Sequence, residues 1–161
     1  MLSQEDLSII HQKLDLFCCN VYGSANFYDI PGMKNPLCYP GNPKSQIGMP
    51  IRPKCLYYMA KFAYQKYGLP ILFTENGFSN NDFVMMDGKI HDPQRMDYIH
   101  SYLLELKKAV EEGIPVEGYI YWSILDNFEW FEGYDMRFGL IYVDYQNQKR
   151  IIKDSAFTTK L

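Results

Sequence analysis

Hydrophobic residues gather in three short runs, residues 14–19, 71–73 and 116–121, each of strand length and only partly alternating. That pattern predicts strands buried on both faces. Between the runs the apolar period changes. After Pro53, the residues Leu56, Ala60, Ala63, Tyr64 and Tyr67 recur at helical spacing, and the pattern stops at Gly68 with Pro70 beyond. Asp92 and Pro93 read as the cap and first turn of a second helix. Its apolar face carries Ile99, Tyr102, Leu103, Leu106, Ala109 and Val110, with Gly113 as terminator. Strand, helix, strand, helix, strand is the signature of a parallel α/β sheet. The helix-to-strand links are short and the strand-to-helix links long, and α/β barrels keep their sites in the loops that follow strand C-termini. In the second long link, residues 85–90 read as a small hairpin around Asp87-Gly88.

At 161 residues, 47% hydrophobic and 22% charged, the chain falls outside disordered and low-complexity classes and is long enough for one core-forming domain. Its 16 basic and 19 acidic side chains leave a formal net charge of −3, without a Lys or Arg run that could follow a phosphate backbone. Nucleic acid is therefore not an expected partner. No stretch approaches the roughly 18–20 apolar residues of a membrane helix, and the first ten residues lack the basic-then-apolar order of a secretory leader. These features predict a soluble, cytoplasmic protein with no membrane partner. Cys18, Cys19, Cys38 and Cys55 lack metal-type spacing and read as reduced, small apolar residues. His11, His91 and His100 have no spacing that would put two on one face with a carboxylate, so neither a metal nor a cofactor is expected. The pairs Lys107-Lys108 and Glu111-Glu112 read as a solvated helix face.

Chemistry collects where the strands end. The first run leads to Asn20 and Tyr22, the second to Thr74, Glu75, Asn76 and Gly77, and the third to Trp122, Ser123 and then Asp126 to Trp130. A carboxylate directly after a buried strand is costly unless it is hydrogen-bonded or functional, and amide and phenol donors on neighbouring strand ends can supply the bonds. Indole rings beside carboxylates suit a sugar, whose C–H faces pack on aromatics while its hydroxyls need charged or amide partners. From residue type alone Glu75 is either a structural strand-end carboxylate or a reacting group. Asn20 is a turn cap or a site residue, and Tyr22 a core ring or a site residue.

The segments Phe73-Thr74-Glu75-Asn76-Gly77 and Trp122-Ser123-Ile124-Leu125-Asp126-Asn127-Phe128-Glu129-Trp130 resemble the C-terminal third of glycoside hydrolase family 1, the β-glucosidase family of retaining enzymes. Gly133-Tyr134, Arg137-Phe138-Gly139-Leu140 and Tyr142-Val143-Asp144 continue the likeness, and Leu14-Asp15-Leu16-Phe17 resembles the sixth barrel strand. The resemblance implies a partial (β/α)8 barrel comprising about its last three βα units with parallel strands. Residues 1–161 would be the C-terminal portion of one barrel domain, incomplete at the N-terminus and short at the C-terminus, where residues 153–157 resemble the start of the last helix. It further implies that Glu75 is the catalytic nucleophile, that Tyr22 hydrogen-bonds it, and that Asn20 lines the site. Trp122 would be the platform under the sugar, Glu129 and Trp130 the pair gripping its outer hydroxyls, and Phe138 a further wall of the pocket.

In phosphate-preferring relatives the Glu-Trp grip is typically replaced by a serine-containing loop followed by Lys and Tyr. Glu129, Trp130 and Arg137-Phe138 stand here instead, so the expected substrate is a non-phosphorylated β-glucoside or oligosaccharide, or a related galactoside or fucoside. The family's acid/base glutamate lies in a Thr-Asn-Glu-Pro type segment, and no such segment occurs in this sequence. Retaining hydrolysis uses two carboxyl groups about 5–5.5 Å apart, so the chain alone is expected to be inactive on ordinary glucosides. Two other readings follow: a non-catalytic sugar-binding fragment, and a piece that complements an N-terminal fragment of a split β-glycosidase.

Overall fold

The computed structural model describes residues 2–23 and 41–158. In chain order it contains α1 (Gln4–Ile10), β1 (Phe17–Asn20), α2 (Lys54–Tyr67), β2 (Ile71–Asn76), α3 (Pro93–Glu111), β3 (Val116–Tyr121), β4 (Ile141–Val143) and β5 (Arg150–Ile152). β1, β2 and β3 form a parallel sheet in that order, and β4 pairs antiparallel with β5. The helices end where the sequence predicts. Gly68 takes the left-handed conformation (φ +63°), which only glycine adopts without strain, and its N–H closes on the Tyr64 carbonyl at 2.9 Å.

Both crossover helices lie on one face of the sheet. Leu56, Ala60 and Ala63 of α2 and Tyr98, Ile99, Tyr102, Leu106 and Ala109 of α3 pack with Ile71 and Phe73, all at or near zero exposure. The opposite face is open among the described residues: Cys18 and Asn20 are exposed and Ile120 is 52% exposed. The expectation of strands buried on both faces is therefore corrected. In a closed barrel that second face is the interior, which eight strands enclose together and three cannot. β1 also starts later than the apolar run, because Leu14 is 62% exposed and contributes nothing to the core.

Other local expectations change for identifiable reasons. Asp92 stands at the N-cap of α3, but its carboxylate does not cap the helix; it accepts from the Ser155 N–H (2.8 Å) and hydroxyl (2.6 Å) and from Arg95. Val110 is 49% exposed, whereas Arg95 and Tyr98 occupy the buried face. Residues 85–90 reverse tightly around Asp87-Gly88 as expected, with the Gly88 N–H donating to the Met85 carbonyl (2.9 Å) and the Met85 N–H to the Lys89 carbonyl (2.8 Å), though the arms are too short to form strands. Glu112 is exposed, as expected, and on that surface it also accepts from Tyr57 (2.7 Å) and Lys61 (3.0 Å) of α2. Helix α1, which hydrophobic periodicity does not predict, opens on a Ser3–Asp6 capping box and has no buried residue. Residues 154–157 make a short 3-10 turn. Cys18, Cys19 and Cys55 are free, and burial pushes the Cys19 and Cys55 thiols up to about 11 and about 12, as suits apolar fillers. Cys38 and most of the long link after β1 lie outside the described residues, as does Leu161.

A buried charge cluster joins these parts. Arg95 donates to Asp82 (2.6 Å) and Asp92, and Lys153 donates to Asp82 (2.6 Å) and Asp126 (2.8 Å). Arg137 completes it on Asp126 at 2.6 Å. Burial, and next the Arg95 charge, hold the Lys153 ammonium below its ordinary range. Removing one partner from such a buried cluster strands the others. We expect Lys153→Met to lower the unfolding free energy by about 3–5 kcal/mol in urea titrations. Lys107→Met, which breaks an exposed pair with Glu111 at 3.7 Å, should cost under about 0.5 kcal/mol.

His91 bridges Asp154 (2.5 Å) and Asp87 (3.0 Å), and those bonds, Asp154 first, raise its pKa from 6.5. A raised histidine stabilises fully below its unfolded value and loses that contribution as pH climbs through the folded value. Melting temperatures of the protein and its His91→Gln variant should accordingly differ most just below pH 6.5 and converge in alkaline buffer.

Candidate active site

The C-terminal ends of the parallel strands set the site. In strict alternation Glu75 would share the helix-covered side with Ile71 and Phe73. The register shifts between Phe73 and Asn76, and again between Cys19 and Asn20. Such bulges re-aim side chains. Here Asn76 takes the fully buried position facing α3, and Glu75 is left half-buried beside β1, paired in the ladder with Asn20.

Two bonds lock Glu75 to the segment that continues β1. Its carbonyl accepts the Val21 N–H at 2.9 Å, and its carboxylate accepts the Tyr22 hydroxyl at 2.8 Å. Burial, then the Glu75 hydrogen bond and charge, raise the Tyr22 pKa strongly, and the charge of Glu129 adds to this. Tyr22 is thus a neutral donor held on a carboxylate. Phe138, 2% exposed, stands edge-on to the Tyr22 ring at 6.2 Å, so it braces Tyr22 from behind. Asn20 is exposed on the rim and accepts from the Thr74 hydroxyl at 2.6 Å.

β3 delivers the rest. Gly77 permits its approach, since a Cβ there would lie 1.8 Å from the Trp122 carbonyl oxygen. The Trp122 N–H donates to the Asn76 carbonyl at 2.9 Å, and the Trp122–Ser123 peptide is cis. In the following loop, the Glu129 carboxylate accepts from Asn127 Nδ2 (3.2 Å) and, more loosely, from Trp122 Nε1 (3.5 Å). Asp126 anchors that loop by accepting from Arg137, Lys153 and the Gly139 and Val143 N–H groups.

The structure therefore brings Glu75, Tyr22, Asn20 and Phe138 together, with Glu129 on Trp122 at the next strand end. Trp130 stands apart, 79% exposed in a 3-10 turn. Sequence reasoning gave no role to Asn127, Asn76 or Tyr98. The signal for Asn76 was a carboxamide next to an apolar strand, which must find partners once buried. It finds three: Val21 carbonyl (2.7 Å), Tyr98 hydroxyl (2.9 Å) and the donating Tyr119 hydroxyl (2.7 Å). Among the described residues no three His, Cys, Asp or Glu side chains gather in a way that could hold a metal. Nor is any helix there long and apolar enough to cross a membrane.

The model for glycosyl hydrolase family 1 matches residues 1–160. Beta-glucosidase A of Thermotoga maritima is 40% identical over 157 residues, covering 96% of this chain. A beta-glucosidase of an Agrobacterium species is 39% identical and covers 97% of it. The Thermotoga maritima family 1 β-glucosidase structure superposes with a TM-score of 0.86 at 39% identity over 95% of the chain. Structures of that enzyme in complex with glucoimidazole and with deoxynojirimycin score 0.85 and 0.84. In each case the chain spans about 35% of the relative's length. Those relatives are (β/α)8 barrels, and the three-stranded parallel sheet with its two crossover helices is a part of one. A match running through almost every residue, in sequence and in backbone alike, means that this chain belongs to glycosyl hydrolase family 1.

Proposed function

We propose that this chain carries the nucleophile side of a retaining β-glucosidase site, as the C-terminal portion of a single barrel domain. The observation that carries the reading is the 2.8 Å bond from Tyr22 to Glu75 between two adjacent parallel strand ends. A retaining hydrolase needs an ionised carboxylate held in a fixed orientation to attack the anomeric carbon and form a glycosyl-enzyme intermediate. A phenol donor supplies that orientation and favours the charged form. Trp122 then offers a ring for the sugar face. Glu129, with one carboxylate oxygen held by both Asn127 and Trp122, accepts from sugar hydroxyls, and Trp130 closes over the outer edge once substrate is bound. Asn20 contributes a further polar contact. The substrate is a non-phosphorylated β-glucoside, because a phosphate beside Glu129 would meet like charge.

Departure of an ordinary alkoxide needs a proton donor, and the family's Thr-Asn-Glu-Pro type acid segment is not in this sequence. The chain alone is therefore inactive on ordinary alkyl glucosides. The open sheet face supports a second reading, in which an N-terminal fragment supplies the acid and the missing strands.

A fluorosugar β-glucoside whose dinitrophenolate leaves without protonation isolates the nucleophilic step. Intact-mass and peptide analysis of the 161-residue chain should find one fluoroglucosyl group on Glu75, and none in Glu75→Gln. Tyr22→Phe should slow labelling about 10- to 100-fold, the loss of one hydrogen bond to a charged group. Labelling at another residue, or undiminished labelling of Glu75→Gln, refutes the assignment. Labelling that requires an added N-terminal fragment supports the complementing piece.

A further inference from the structure

Tyr22 reaches Glu75 only if its own backbone is held, and that backbone lies in a segment beyond the last ladder residue of β1. Two peptide groups there are fixed by side chains from outside the site. The Val21 carbonyl accepts from Asn76 Nδ2 at 2.7 Å, while the Val21 N–H is spent on Glu75. The next carbonyl, that of Tyr22 itself, accepts from two phenols of α3, Tyr98 at 3.3 Å and Tyr102 at 3.2 Å. Both phenols are buried, at 3% and 0% exposure, and their rings stack with centroids 3.8 Å apart. Burial pushes the Tyr102 pKa up to about 12 and raises that of Tyr98 further, so both remain donors at any ordinary pH.

The hydrogen bonds also run in one direction. Tyr119 donates to Asn76 Oδ1, Asn76 Nδ2 donates to Tyr98, and Tyr98 has its single proton free for Tyr22. On the other phenol, the Arg52 N–H donates to Tyr102 at 2.8 Å and leaves its proton for the same carbonyl. Each hydroxyl is oriented by a donor behind it, which a packing role alone does not require.

We propose that Tyr98 and Tyr102 are positioning residues that hold the Tyr22 phenol on the Glu75 carboxylate, with Asn76 coupling them to the nucleophile's own strand. Their relevance to catalysis rests on the reading of Glu75 as the nucleophile, but the positioning itself can be observed without sugar.

Tyrosines labelled at the ring carbon bearing the hydroxyl report this bond directly, because that carbon's resonance responds to what the phenol donates to. The Tyr22 signal is assigned by its loss in Tyr22→Phe, and its position without the carboxylate is given by Glu75→Gln. The full 161-residue chain is used throughout, below each variant's melting temperature. We expect Tyr98→Phe and Tyr102→Phe each to displace the Tyr22 signal part of the way toward its Glu75→Gln position, and the double variant to displace it further. Leu106→Ala, a core truncation on the same helix, should leave it in place. A Tyr22 signal unmoved in both single variants, or moved as far by Leu106→Ala, overturns the proposal. If the double variant does not fold, the single variants decide. Failure of fluorosugar labelling at Glu75 would remove the glycosidase reading while leaving this shift to stand or fall by itself.

Discussion

Two cations with no exposed surface constrain the whole structure. Arg95 and Lys153 are buried to zero exposure, and they are matched by Asp82, Asp92 and Asp126, with Arg137 closing the set at the rim. Taking such charges from water costs several kcal/mol each, and their mutual attraction only roughly repays it. The cluster therefore adds little net stability. What it does is make alternative arrangements expensive, because any shift of one segment leaves a buried charge without a partner. The members come from the loop after β2, the first turn of α3, the loop after β3 and the chain beyond β5. Those segments cannot move independently, and the loop that carries Glu129 begins at Asp126.

A second constraint works at the strand ends, with neutral groups. Asn76 donates to Val21 just after β1, accepts from β3 and donates to α3, so the three strands finish in fixed register around it. The bulges that turn Asn76 inward are the same ones that leave Glu75 beside Tyr22. Gly77 completes the arrangement by letting β3 come close enough for Trp122 to bond the Asn76 carbonyl. A carboxylate at the tip of a buried strand is thereby given partners at little desolvation cost.

The elements were legible wherever local pattern decided them. Glycine and proline marked the ends of α2 and α3, and the parallel sense of the strands followed from the alternation of periods. The candidate site was legible as residue identities: Glu75, Tyr22 and Trp122 stood in motifs and at strand ends. Geometry was not legible, because its determinants are far apart in sequence. Tyr22 lies 53 residues from Glu75, and Lys153 lies 71 from Asp82. Arg95 on an apolar helix face looks like an outlier until its distant carboxylates are known. The Asp92 carboxylate looks like a cap until Ser155, 63 residues on, is seen to take it. Burial on both sheet faces failed for another reason. A strand's composition reflects the complete barrel, while its exposure reflects only the strands present.

The two constraints together sort the carboxylates by partner. Asp82, Asp92 and Asp126 are saturated by cations and buried, so their charge is neutralised where it stands. Glu75 and Glu129 are held by a phenol, an indole and a carboxamide, and remain half-buried at the rim. Asp126 and Glu129 are three residues apart and belong to opposite classes. A cation beside Glu75 would orient it equally well but would cancel its field. Neutral donors orient it and leave its negative charge in place. In the glycosidase reading proposed above, positive charge develops on the sugar ring in an oxocarbenium-like transition state, and a rim of oriented carboxylates with no cation partner among the described residues is the complementary environment. The buried cations make that rim possible by fixing the loops from behind without reaching the two glutamates.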